Sequence, residues 1–557
     1  MFSAMPLSPR FLLPVLLLCG LSLPLRAEPP ALVVAISIDQ FRADYLERFR
    51  PHFGPGGFRL LMEQGAYFVD CHHLHSLTKT APGHAVMLTG VHADINGIIG
   101  NDWIDRDTLL SRSCVGDDSV QPLGLPPSTV AGPPGPDNPA VPRSPRNLLV
   151  TTVGDELKLA RGGQPKVIGI AEKHRAAILM SGKLANAAYF MERGHMITST
   201  YYMPELPAWV REWNASAKAD AYFGRVWDRL LPVEAYAIQG PDDAPGEDEK
   251  GGGFGRTFPK KVVGRDGAPG LSFYSSLQNT PFGNELIADF ARTAIEQENL
   301  GGRPGITDLL CLGFSANDHV GHLYGPDSHE VMDMVVRTDR LLADFFQFLD
   351  RRVGLKNCVI VLTADHGIPS MPEHIHAQTP HVPAGRIDGA QLLATAETAL
   401  NRKFGALAAG RWLLRDDASF LIIPDALKEK NVSASAVQET VRDALLTLDY
   451  VQAAYTRDQL ERREVNDECG RQMLLSFNRA RSGDVFYQAK PYYFSRLTGS
   501  NHGTPYNYDT HVPLLWYGAG VPPAVHPEHV AVRDLAPTLS RLLGLPAPPQ
   551  SAGKVLF

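Results

Sequence analysis

The stretch Cys358–Gly367, read C-V-I-V-L-T-A-D-H-G, constrains the fold more than any other. Its run Cys358–Leu362 is too short for a helix, is rich in β-branched side chains and is bounded by charged, turn-forming flanks. Such a run predicts a strand buried on both faces, as the strands of a parallel sheet are. The strand stops on Thr363-Ala364-Asp365-His366-Gly367, a carboxylate beside an imidazole. In open parallel sheets, ligands bind outside the carboxyl ends of the strands. Hard oxygen next to borderline nitrogen is a donor set for zinc or a related divalent ion.

Two other strands end the same way. Ala31–Ile38 is an apolar run that ends on Asp39, and Leu309–Phe314 leads into Ser315-Ala316-Asn317-Asp318-His319-Val320-Gly321-His322. Asp318 and His322 are four apart, so one helical turn sets both on one face. His502, in the glycine-flanked turn Ser500–Gly503, makes a sixth donor. Six donors divide into two sets of three, and three protein ligands with an open position is the pattern of a catalytic zinc. Two metals about 4 Å apart can clamp the attacking and leaving oxygens of an in-line phosphoryl displacement. Spacing alone leaves open which donor belongs to which ion.

Further polar residues lie between these strands. Leu77–Gly90 is a polar turn opening an apolar helix at Ala85–Leu88, which puts Thr80 near a helix N-terminus, where anions are favoured. A capping threonine is the ordinary role of such a residue. Gly100-Asn101-Asp102-Trp103 is a loop, and the strand Lys166–Ala171 ends in Glu172-Lys173-His174-Arg175, by itself a solvated loop. His374, His376 and His381, and likewise His72, His73 and His75, are read as loop histidines rather than ligands.

The remaining chain sets the bounds. Its 557 residues are 44% hydrophobic and 20% charged, the composition of a globular enzyme. A net charge of −7 with no basic block argues against nucleic-acid binding. Met1–Ala27 reads as a secretory signal peptide cut after Ala27. Bulky Leu16-Leu17-Leu18 before Cys19 argues against a lipoprotein anchor, and no later apolar run approaches the ~18 residues that span a bilayer. The expectation is an exported, periplasmic or secreted protein. Cys311 and Cys358 are expected as core thiols, while Cys71, Cys114 and Cys469 could supply one disulfide.

Residues 121–145 carry nine prolines and read as an extended surface excursion, followed by a helix capped at Ser144-Pro145 and running to Ala160. Residues 240–270 read as a Gly-, Pro- and charge-rich surface loop. Thr280-Pro281 starts an amphipathic helix to Gln297, and Asp327 with Glu330 makes an N-terminal box for the next helix. Residues 388–495 break the α/β rhythm and read as an α+β insertion capping the crevice. The core comprises 28–387 and 496–557, closing with the strand Val512–Tyr517 and a last helix that begins at Val532-Arg533-Asp534-Leu535.

These motifs resemble the alkaline phosphatase superfamily. The likeness is greatest to its phosphodiesterase/nucleotide pyrophosphatase-type members, and among those to bacterial phosphate-irrepressible alkaline phosphatases. It is carried by Ser37–Gln40, Thr80-Ala81-Pro82-Gly83-His84, Gly100–Trp103, Lys173–Arg175, Asp318–His322, Ala364–Gly367 and Asn507–His511. It implies an α/β/α sandwich around a mainly parallel sheet. It implies two zinc ions, one held by Asp318, His322 and His502, the other by Asp39, Asp365, His366 and the Thr80 oxygen. Thr80 would form a phosphothreonine, and Asn101, Lys173 and Arg175 would contact phosphoryl oxygens. The implied activity is broad-range hydrolysis of small phosphate monoesters, with a diesterase or nucleotide pyrophosphatase as the rival. T-A-P-G-H also has the look of a sulfatase signature, but it lacks the Cys or Ser and the Arg that sulfatases need. Lys79 beside Thr80 departs from the pattern. It would face solvent or tune the substrate mouth.

Overall fold

The computed structural model describes Met1 and residues 29–125, 141–265 and 267–557. The leader at Met1–Ala27, apart from Met1, and most of the proline-rich stretch lie outside the described residues. Among those described, no helix is long and apolar enough to cross a membrane.

The chain begins with β1 (Leu32–Ile38), β2 (Ala66–His72), α1 (Thr80–Thr89), α2 (Val153–Ala160), β3 (Val167–Ala171) and α3 (His174–Ser181). It continues through β4 (Ala187–Glu192), β5 (His195–Ser199), α4 (Pro281–Gln297), β6 (Asp308–Phe314) and α5 (Ala316–Tyr324). Then come α6 (His329–Arg352), β7 (Cys358–Thr363), α7 (Gly389–Phe404), β8 (Leu413–Asp416) and β9 (Ser419–Ile422). The last major elements are α8 (Ala434–Leu445), β10 (Val451–Thr456), β11 (Val485–Ala489), β12 (His511–Gly518), β13 (Ala524–His526) and α9 (Leu535–Leu542).

The central sheet runs in the order β13-β2-β12-β7-β1-β6-β3-β4-β5. Its middle is parallel. β1 pairs with β6 and with β7, Leu32 standing opposite both Asp308 and Cys358, and Ile38 opposite Phe314. Every residue of β1, β6 and β7 is buried, which their unbroken apolar runs require between two helical layers. Helices α1, α2, α3 and α9 pack together in one layer, and α4, α5 and α6 in the other. The shared register ends β1, β6 and β7 side by side, so Asp39, Asp318 and Asp365 follow at one edge of the sheet.

Residues 388–495 contain a separate four-stranded antiparallel sheet, β8-β9-β11-β10, against which α7 and α8 pack. Leu392, Trp412, Phe420, Val437 and Val485 form its own apolar core.

Several local expectations are corrected. The helix expected from Ser144-Pro145 begins at Val153. There the Thr152 hydroxyl accepts from Asp155 N at 3.2 Å and Asp155 Oδ2 accepts from Thr152 N at 2.9 Å, a reciprocal cap. Ser144 instead donates to Asp117. Helix α6 is capped by Ser328, which accepts from Val331 N, and not by Asp327, which takes Arg48 at 3.1 Å. No disulfide uses Cys71 or Cys469, which are free thiols, as are Cys311 and Cys358.

The stretch 240–270 is also more than a surface loop. Its Lys260 is fully buried, 2.8 Å from the equally buried Glu330, with the Tyr324 ring 4.2 Å from its ammonium. Burial pushes Glu330 up to about 7 although Lys260 pulls it down. Without the ammonium, Glu330 would rise further, so stability would fall as pH climbs above the unfolded value, while at pH 5 a protonated Glu330 loses little. Lys260→Met is therefore expected to destabilise by about 3–5 kcal/mol at pH 8 and much less at pH 5. Urea unfolding at both pH values measures this, and equal losses would show that the ammonium only fills space.

Candidate active site

The turn after β1 ties the acidic edge together. Gln40 adopts a positive φ of 62°, which folds the chain back across the strand ends. Its backbone N–H donates to Asp365 Oδ1 at 3.0 Å and its side-chain amide donates to Asp318 Oδ1 at 2.7 Å. Asn317 Nδ2 donates to the Asp39 and Gln40 carbonyls at 3.0 and 3.1 Å. One buried glutamine thus fixes the carboxylates of two other segments.

Three imidazoles complete the cluster. Helix α5 sets His322 Nε2 3.3 Å from Asp318 Oδ1, and His502 Nε2 lies 3.7 Å from the same oxygen. His366 Nε2 lies 3.5 Å from Asp39 Oδ1 and 3.4 Å from Asp365 Oδ2. The His366 and His502 rings stack with centroids 3.5 Å apart. In each ring Nδ1 meets a backbone carbonyl: Ser500 for His322 (2.8 Å), Thr78 for His502 (2.8 Å) and Gly367 for His366 (2.9 Å). With Nδ1 donating, Nε2 keeps its lone pair and points it into the cluster, the arrangement that metal-ligating histidines share.

Two sets of donor atoms close to within 4.8 Å: Asp318, His322 and His502, and Asp39, Asp318 and His366. Asp365 joins the second set through His366. His366 Nε2 and Asp39 Oδ1 are buried without a hydrogen bond, lone pair facing lone pair, which a cation between them would resolve. Oxygen from aspartate with nitrogen from histidine is a fitting set for a zinc-like ion. Burial and the nearby Asp365 carboxylate push Asp39 well above the usual carboxylate range. Burial would raise Asp318 too, but His322 and Lys173 hold it well below. Burial lowers His366 and His502, which keeps both in the neutral, ligating form.

Lys173 is not in a solvated loop. It immediately precedes α3 and sets Nζ 2.8 Å from Asp39 Oδ2 and 2.5 Å from Asp318 Oδ2. Burial opposes its charge, yet Asp318 and Asp39 outweigh burial and raise its pKa. Arg175 lies in the first turn of α3, half-buried, close enough for its charge to oppose that of Lys173.

Thr80 is the first residue of α1 and is only 2% exposed. Its neighbour Ala81 donates its N–H to Asn101 Oδ1 at 2.9 Å, which fixes Asn101 beside it. His84 Nδ1 lies 2.8 Å from the Thr80 carbonyl and 3.2 Å from Asp365 Oδ2. Gly83 lets the helix press on this edge, since a Cβ there would stand 2.2 Å from the Asp365 carbonyl. Lys79 pairs with Asp417 at 3.0 Å, reaching the 388–495 segment. A cleft of about 230 Å³ opens here between Lys79, Asn101 and Asp102 on one side and Asp416, Asp417 and Phe486 on the other.

The profile of the family described as type I phosphodiesterase / nucleotide pyrophosphatase matches residues 33–511. The chain belongs to that family. It is accordingly a hydrolase of the alkaline phosphatase superfamily. It is 35% identical to alkaline phosphatase PhoV of Synechococcus elongatus, over 95% of this chain and 92% of that protein. It is 34% identical to a Myroides odoratus protein named calcium-transporting ATPase, over 95% and 94%. Identity to alkaline phosphatase PafA of Elizabethkingia meningoseptica is 33%, over 94% and 93%. A crystal structure of PafA superposes with a TM-score of 0.85 at 31% identity, covering 95% of this chain and 98% of that one.

Among this family member's site residues, sequence reasoning passed over the orienting partners. Gln40 and His84 stood inside quoted motifs without a role, and Asp509 did as well. Asp509 Oδ2 accepts from Gly503 N at 3.0 Å and Thr504 N at 2.8 Å, holding the turn that carries His502. Glu172 takes His319 at 2.7 Å. The available signal for Gln40 was Gly321 inside the Asp318–His322 turn, where a Cβ would meet Gln40 Oε1 at 1.8 Å. Gly321→Ala should push Gln40 off Asp318 and lower kcat/KM by about 10²-fold while the fold persists. Steady-state kinetics with circular dichroism checks this, and an unchanged rate would free Gln40 from that task.

Proposed function

We propose that this protein is an exported, zinc-dependent phosphate monoesterase of broad substrate range, in which Thr80 is the nucleophile. The observation that carries the reading is the cluster itself. Three buried carboxylates and three histidines with carbonyl-anchored Nδ1 atoms face one another beside a helix that begins on Thr80. The alkaline phosphatase names of the relatives support it. Asp318, His322 and His502 would hold one zinc, and Asp39, Asp365 and His366 the other, with the Thr80 oxygen. When bound, the ions supply charge that stabilises the threonine alkoxide and the leaving oxygen.

The chain's own groups do the rest. Thr80 Oγ forms a bond to phosphorus as the ester oxygen leaves, giving phosphothreonine. Water then displaces Thr80, releasing phosphate and restoring the hydroxyl. Asn101, fixed by Ala81 N–H, binds a non-bridging oxygen, and Lys173 and Arg175 meet the charge of the phosphoryl group. A monoester presents a dianion with three free oxygens, which paired cations favour over a monoanionic diester. Residues 1–27 would serve as the export signal and 388–495 as an insertion lining the cleft.

Thr80→Ala should lose the covalent intermediate and nearly all turnover with the fold intact, whereas Thr80→Ser should keep measurable activity. Intact-mass analysis of quenched turnover reads the intermediate, and a near-parental rate in Thr80→Ala would remove Thr80 from this role.

Lys173 also balances Asp39 and Asp318, so Arg175 is the cleaner probe of specificity. Arg175→Ala should lower monoester kcat/KM by roughly 10²–10³-fold and diester kcat/KM much less. Paired aryl monoester and diester assays decide between monoesterase and diesterase. Equal losses, or a parental preference for the diester, would favour the diesterase.

A further inference from the structure

Away from the acidic edge, one more group of imidazole and carboxylate side chains among the described residues closes its donor atoms to within 4.8 Å: Asp70, His72 and His511. Sheet geometry puts them there. Asp70 and His72 are two apart on β2, so both project from one face, and His72 stands directly opposite His511 in the antiparallel pairing with β12. The His72 and His511 rings stack with centroids 4.6 Å apart and planes 10° apart. His72 Nε2 lies 2.8 Å from Asp70 Oδ1. On the other side, His529 sets Nδ1 3.1 Å from Asp70 Oδ2, its ring 5.0 Å from that of His72.

A single carboxylate needs one imidazole for an ion pair, yet three rings gather around this one. His511 Nε2 lies 2.9 Å from the Val69 carbonyl, so the N–H is used there and Nδ1 retains its lone pair. His72 Nδ1 is met by the Thr510 hydroxyl at 3.1 Å, which orients the ring as second-layer partners orient metal ligands. The sequence reads His72 as a loop histidine. The structure instead builds His72 and His511 into paired strands, half-buried and held from behind.

We propose that Asp70, His72 and His511 form a separate three-ligand binding site for a zinc-class divalent ion. Two imidazole nitrogens and one carboxylate select such an ion over calcium or magnesium, which take oxygen ligands. The site lies at the same end of the sheet as the acidic edge, with β12 between β2 and β7. It is also wired to that edge. His511 follows directly on Asp509 and Thr510, and the Asp509 carbonyl accepts from Gly367 N at 2.7 Å while its carboxylate holds Gly503 and Thr504. An ion fastening β2 to the start of β12 would brace the turn that carries His502 and the segment that carries His366.

The test uses zinc alone on the full chain. The parent, Asp70→Asn and His511→Gln are each dialysed against buffered sub-micromolar free zinc, and metal per chain is measured by elemental analysis. Each variant should hold one zinc fewer than the parent. The rise in Tm that zinc gives should also be smaller in the variants, since binding to the folded state alone stabilises it. Asp70 has a side chain 40% exposed, so Asp70→Asn decides the matter if His511→Gln fails to fold. Zinc content equal to the parent's, or a difference seen only at millimolar zinc, would overturn the proposal.

Discussion

Three carboxylates carried to one edge by the register of β1, β6 and β7 impose the condition to which the surroundings respond. At an effective dielectric of about 20, like charges 4 Å apart repel by about 4 kcal/mol, and burial strips away the water that would soften this. Lys173 stands between Asp39 and Asp318, Gln40 donates to two of the acids, and His322 and His366 turn their nitrogens inward. Even so, Asp39 stays well above the ordinary carboxylate range. An edge this rich in oxygen and neutral nitrogen stabilises a dication more than it stabilises itself. The same excess explains why each histidine is pinned through Nδ1 to a backbone carbonyl, since a rotated ring would waste its lone pair.

The parts of this arrangement that follow from chain periodicity were legible in the sequence. Buried strands announce themselves as short unbroken apolar runs, and the acids follow within a few residues of their ends. Asp318 and His322 share a helix face because they are four apart. What the sequence hid depends on contacts between distant segments. Gln40 reads as an ordinary polar residue until its amide is seen on Asp318, 278 positions away. Lys260 sits in a stretch whose composition is that of a surface loop, yet Glu330 draws it into the interior. Helix starts were misplaced for a related reason: Ser144-Pro145 carries the right residue types, but Thr152 and Asp155 satisfy each other's backbone and win the cap.

The cleft beside Thr80 shows how a second unit bears on the first. Helix α1 ends its N-terminal turn against Asp365 only because Gly83 has no side chain. The residue before this helix, Lys79, lines a cleft together with Asp416, the last residue of β8, Asp417 in the turn that follows, and Phe486 of β11. Lys79 is occupied by Asp417. Asp416 accepts from Ile104 N at 3.2 Å, close to the loop carrying Asn101. Burial pushes Asp416 up to about 7, so the acidic lip carries less charge than its two aspartates suggest. An anion entering this cleft meets a lip whose repulsion is reduced by that burial and by Lys79.

The sheet order also accounts for where imidazoles gather. β12 runs antiparallel between β7 and β2, so its first residues reach the same edge at which β7 and β2 end. Asp509, buried just before β12, then has Gly367 on one side and Gly503 on the other. Burial pushes its carboxyl up to about 7 despite three donors on one oxygen. That residue therefore links His366, His502 and His511 through backbone rather than through their rings. Displacing the start of β12 would move the anchors of two of these imidazoles together, whereas a change at α5 would act first on Asp318 and His322. The geometry of the cluster is in this sense divided: Asp318 and His322 are fixed by one helix, and the remaining histidines by how the ends of β7 and β12 are tied.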